Sequence, residues 1–77
     1  MTQPSLVDEV RQARALPSPA IRRMIRIAAG VSQSRLGAEL RVHRVTVARW
    51  ESGTRTPRGS TRAAYADLLN QLRETAA

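Results

Sequence analysis

Between Ser32 and Gly53 the apolar positions are few and regularly spaced. Leu36 and Leu40 are four apart and share one face of a short helix, and Val47 and Trp50 are three apart and share one face of a second. Val42 lies between them, where a turn residue can plug a small joint core. Gly37 stands where the two helices would approach most closely, which a hydrogen side chain permits. Arg44, Val45, Thr46 and Arg49 are left pointing outward from the second helix. The pattern predicts two helices joined by a tight turn, the second with a basic face.

The flanks extend this to an all-α small helical bundle. Ser5 can cap a helix from about Leu6 to Ala15, with Asp8 suited to its N-terminal dipole and Leu6, Val7, Val10 and Ala13 as a thin apolar stripe. That helix either covers one side of the bundle or serves as a dimerisation or partner-binding arm. Pro17 and Pro19 end it, so residues 1–18 form an N-terminal extension and 19–77 the main domain. Ser18 caps the next helix, with Pro19 at its first position, and the helix runs to about Ala29. Spacing places Ile21, Ile25 and Ala28 inward with Met24 alongside, and Arg22, Arg23 and Arg26 between them. Gly30 is the expected left-handed stop, and Val31 returns to the core.

Ser32 caps the helix from Gln33 to about Leu40. Arg41 falls in the turn, where φ > 0 is expected at a cost of about 1 kcal/mol for a residue other than glycine. His43 precedes the next helix as a weak cap, and Gly53 ends that helix. Arg55 and Arg58 flank Pro57 on a stiffened loop. Ser60 is expected to cap a last helix over about Thr61–Arg73, with Ala64, Leu68 and Leu72 on one face and Tyr65 and Leu69 beside them. That stripe is broader than one packing contact needs, so part of it can meet another subunit.

Charge sharpens the picture. The net charge is +7, and residues 19–59 carry all of it, with every basic residue an arginine and only Glu39 and Glu51 opposing. A charge run is often only a solvated face, but here it coincides with two helices and a turn, which suits double-stranded DNA. Arginine forks onto phosphate or guanine where lysine does not, and the plainer reading of the bias is a GC-rich coding sequence that favours Arg codons. There is no cysteine and one histidine, so disulfides, metal and cofactor are not expected. The carboxylates are scattered and no Gly-rich phosphate loop is present, so an enzyme is not expected either. MTQPSLVDEV has neither a cationic start nor an apolar h-region, and no run is long enough for a membrane span. The expected place is the cytoplasm or nucleoid, with no room for a small-molecule pocket.

The run Ser32-Gln33-x-x-Leu36-Gly37-x-x-Leu40-x-Val42-x-Arg44-x-Thr46-Val47-x-Arg49-Trp50-Glu51-x-Gly53-x-Arg55-x-Pro57 resembles the phage-repressor and Cro-type helix-turn-helix family, also called the XRE family. The likeness covers residues 19–73. It implies a lambda-repressor-like domain in which Gln33 holds a phosphate while Arg44, Val45, Thr46 and Arg49 face base edges. It also implies an ion pair between Arg26 and Glu51. Three departures stand out: Arg41 replaces the usual turn glycine, His43 replaces a Ser or Thr cap, and a leading helix takes the place of a trailing one.

The expected mechanism follows. Arg44 and Arg49 suit the guanine O6/N7 edge, and Val45 and the Thr46 methyl suit thymine. Arg22, Arg23, Arg35, His43, Arg55 and Arg58 are the expected phosphate contacts beside Gln33. About five neutralised phosphates give a salt slope near −4 to −5. One protomer buries too little for strong selectivity, so a homodimer is expected, through Tyr65, Leu69 and Leu72 or through Val7 and Val10 of the first helix. Promoter occlusion by such a dimer would repress transcription. The alternatives are an excisionase-like architectural protein, which usually needs a wing absent from this pattern, and a regulator that binds protein through its first or last helix.

Overall fold

The computed structural model describes residues 5–7 and 15–76. Among them, four helices follow in order: α1 (Pro19–Ala28), α2 (Gln33–Leu40), α3 (Arg44–Ser52) and α4 (Gly59–Ala76). Leu6 and Val7 are helical and exposed; the rest of the expected first helix, including Val10 and Ala13, lies outside the described residues.

Local chemistry sets most helix ends. Ser18 Oγ accepts from Ile21 N at 3.4 Å with Pro19 at the first position, and Ser32 Oγ accepts from Arg35 N at 3.0 Å. Gly30 and Gly53 close α1 and α3 at φ +72° and +79°. Arg41 closes α2 in the left-handed region at φ 59° and ψ 41°. His43 caps α3 through its ring, since Nδ1 accepts from Val45 N at 3.1 Å. An imidazole nitrogen here fills the role of a Ser or Thr hydroxyl. The last helix departs from expectation: α4 begins at Gly59, Arg62 N bonds Arg58 O at 3.2 Å, and Ser60 lies inside the first turn rather than capping it.

The core is Ile25, Leu36, Val47, Trp50, Tyr65 and Leu69, with Leu16, Val31, Leu40, Val42, Leu68 and Leu72 half-buried against it. The Trp50 and Tyr65 rings are 5.0 Å apart, tilted by 30°. α3 packs on α2 and α1, and α4 closes over α1 and α2. Gly37 admits the turn: a Cβ there would lie 2.6 Å from the Val42 carbonyl oxygen, while Val42 N bonds Gly37 O at 2.8 Å.

Two packing expectations are corrected. α1 is rotated from the orientation its apolar spacing suggests. Arg22, Ile25 and Arg26 are buried, whereas Ile21, Met24 and Ile27 are 39%, 63% and 52% exposed and Ala28 is exposed. The guanidinium groups find acceptors inside: Arg22 donates to Pro17 O and Trp50 O, and Arg26 to Val31 O and Glu51. Those acceptors offset the desolvation that ordinarily keeps arginine out of a core. In α4, Tyr65 and Leu69 are 0% and 1% exposed, so neither offers a surface to a second subunit. Leu72 is half-buried against the same core.

Candidate nucleic-acid interface

Burying Val47, Trp50 and Glu51 decides which face of α3 looks out. Arg44, Val45 and Arg49 are exposed, and Thr46 and Ala48 are half-buried. Neither Arg44 nor Arg49 is paired with a carboxylate among the described residues. Both glutamates of the basic block are engaged elsewhere, Glu51 with Arg26 and Glu39 with Arg35. The positive potential of the α3 face is therefore uncompensated by its neighbours.

The inner face of α3 is held by a three-helix network. Arg26 Nε donates to Glu51 Oε2 at 2.6 Å and Nη2 to Oε1 at 2.8 Å, a two-pronged contact across α1 and α3. Gln33 Nε2 donates to Glu51 Oε1 at 3.1 Å, which brings in the start of α2. Burial pushes the Glu51 carboxyl up, but bonds from Arg26 and Gln33 and the charges of Arg26 and Arg23 prevail and hold it below the ordinary range. Arg26 is held above its ordinary value, chiefly by its bond to Glu51. Gln33 keeps a second amide N–H beyond the one given to Glu51.

Around α3 the expected phosphate contacts separate into those beside it and those elsewhere. Arg23 lies with Gln33, Ala48 and Ser52 around an open depression of about 260 Å³ at the seam of α1, α2 and α3. Arg55 and Arg58 are exposed on either side of buried Pro57. The loop is tied to α3, because Arg49 O accepts from Thr54 N at 3.0 Å and from Arg55 N at 3.2 Å. His43 is exposed at the start of α3, and its capping bond through Nδ1 leaves the proton on Nε2.

One arginine leaves the set, and a second is paired on the surface. Arg22 is 5% exposed and its guanidinium is spent on Pro17 O and Trp50 O, so it cannot meet a phosphate. Arg35 pairs with Glu39 at 3.0 Å in an exposed contact one turn apart, and lines the groove between α2 and α4 with Val31, Leu36, Leu68 and Leu72. Side chains that charge counting misses stand beside the loop. Thr54, Thr56 and Thr61 line an open depression of about 600 Å³ with Arg55, Arg58 and Val42, so hydroxyls stand beside the loop cations. The available signal was the Thr-Arg-Thr-Pro-Arg run, in which the threonines alternate with the charged residues.

A family model described as helix-turn-helix matches residues 23–74. The chain belongs to the helix-turn-helix family. The match spans α2, the turn and α3, together with most of α1 and α4. Membership makes this helix-turn-helix chain a DNA-binding transcription regulator of double-stranded DNA, in a family that is not one of enzymes. No curated protein and no solved structure matches it. No helix among the described residues is long and apolar enough to cross a membrane.

Proposed function

We propose that the chain is a sequence-specific, Cro- or repressor-like regulator that lays α3 in the major groove. The observation that carries this is the pair of exposed, uncompensated guanidinium groups of Arg44 and Arg49, on a helix whose other face is clamped by Arg26, Glu51 and Gln33. Arg44 and Arg49 take guanine edges, each good contact discriminating by about 1–3 kcal/mol, and Val45 and Thr46 take thymine methyls. Gln33, Arg23, His43, Arg55 and Arg58 set the register on the phosphates. With about three arginines left unpaired for that work, the salt slope per protomer falls to about −3.

Two copies on half-sites one helical turn apart provide the selectivity that one module lacks. Leu6 and Val7 are 74% and 61% exposed, which supports self-association through the N-terminal arm rather than through α4. Such a dimer at a promoter in the cytoplasm or nucleoid represses by excluding polymerase. Selection of bound sites from a random duplex library tests the reading. It predicts a motif with at least one guanine per half-site, and recovery of unenriched sequence contradicts it. Sedimentation with and without the selected duplex reports the dimer.

A further inference from the structure

Arg22 is a cation in the middle of the core. Its Nη2 donates to Trp50 O at 2.8 Å, its Nη1 to Pro17 O at 3.0 Å, and its Cζ lies 5.8 Å from the centre of the Tyr65 ring. Its Nε is buried with no hydrogen-bond partner. A partly satisfied buried charge is a poor way to stabilise a fold, and an apolar side chain of similar volume often does as well or better. The same helix leaves Ile21, Met24 and Ile27 outside, so apolar residues are present in α1 but not at this position. The contact must serve something other than burial.

What it grips is the end of the reading helix. Arg22 and Arg26, one turn apart on α1, hold successive residues of α3, the first by the Trp50 carbonyl and the second by the Glu51 carboxylate. Trp50 O also accepts from Gly53 N at 3.3 Å, where the chain turns out of the helix. One residue earlier, Arg49 carries the outward guanidinium and its carbonyl anchors Thr54 and Arg55. A cation at this end also complements the helix dipole. We propose that Arg22 is a positioning residue for DNA recognition: it fixes the last turn of α3, and through it the places of Arg49 and Arg55. This rests on the reading of α3 as the base-contacting helix.

The experiment compares wild type, Arg22→Met and Arg22→Lys. Thermal melts, amide hydrogen exchange without DNA, and affinities for the selected and a random duplex are measured on each. Arg22→Met should melt at or above the wild-type temperature, exchange at Gly53 and Thr54 should quicken tenfold or more, and exchange at Leu36 should stay unchanged. Random-duplex affinity should fall by no more than it does in Arg55→Ala, while the preference for the selected duplex falls at least tenfold. Arg22→Lys, with one compact donor for Trp50 O, should recover part of that preference. A folded Arg22→Met with undiminished preference overturns the inference, and so does loss of the fold, which would make the charge a stability device. If wild type itself prefers no duplex while exchange in Arg22→Met responds as described, the base-reading role fails and the positioning contact stands.

Discussion

Glu51 carries a negative charge inside a basic block, and its neighbours explain how it stays ionised. Its folded-state pKa lies below the ordinary value, so its contribution to stability is present above the unfolded carboxyl range and is lost as pH falls through the folded value. Thermal melts should therefore weaken in acid, and Glu51→Gln should flatten that dependence. Glu51→Ala leaves Arg26 buried without its carboxylate and should cost about 3–5 kcal/mol; an unchanged melt would remove the pair from the account. Tyr65 gives the alkaline counterpart. Burial, aided by the charge of Glu51, pushes its hydroxyl up to about 12 against the opposing pull of Arg22 and Arg26. A raised pKa contributes stability below the unfolded value near 10 that drains away as pH climbs toward 12. Tyr65→Phe should abolish that loss. Tyr65 is the chain's single tyrosine, so tyrosinate absorbance reads its titration directly. Loss of stability of equal size in Tyr65→Phe would show that another group is responsible.

Among the helices, what could be foreseen divides by the range of the cause. Ser18, Ser32, Gly30 and Gly53 act on their own chain neighbours, so their roles as caps and stops could be read from residue type and spacing. The left-handed Arg41 was legible for the same reason. The rotation of α1 was not. Periodicity weighs apolarity along one helix, whereas Arg22 and Arg26 are drawn inward by Trp50 O and Glu51, 28 and 25 residues away in sequence. His43 was legible as a weak cap from its place before α3, but the bond through its ring Nδ1 was not, because residue preferences rank the hydroxyls and carboxylates first. The elbow itself offers a sharp test. In Gly37→Ala the new Cβ meets the Val42 carbonyl at 2.6 Å, with backbone on the other side that cannot swing away. That substitution should destabilise by about 1–3 kcal/mol and shift α3 against α2, and a neutral effect on both melting and DNA affinity would contradict the packing described.

At the scale of the molecule, charge and fold serve one surface. The location of the net charge in residues 19–59 was visible in the sequence, but which arginines stand exposed and unpaired was not, since two of them are consumed by the core and one pairs with Glu39. The surviving set implies a division of labour between reading and clamping. Arg55→Ala should weaken selected and random duplex alike and reduce the salt slope by about 1, because Arg55 stands on a loop beside α3 rather than on its outer face. The central claim is that the outer face of α3 distinguishes one sequence from another, and the most direct measurement is the ratio of selected- to random-duplex affinity for Arg49→Ala against wild type. The account predicts that this ratio falls about tenfold or more while random-duplex affinity changes little. Equal loss on both duplexes would contradict it.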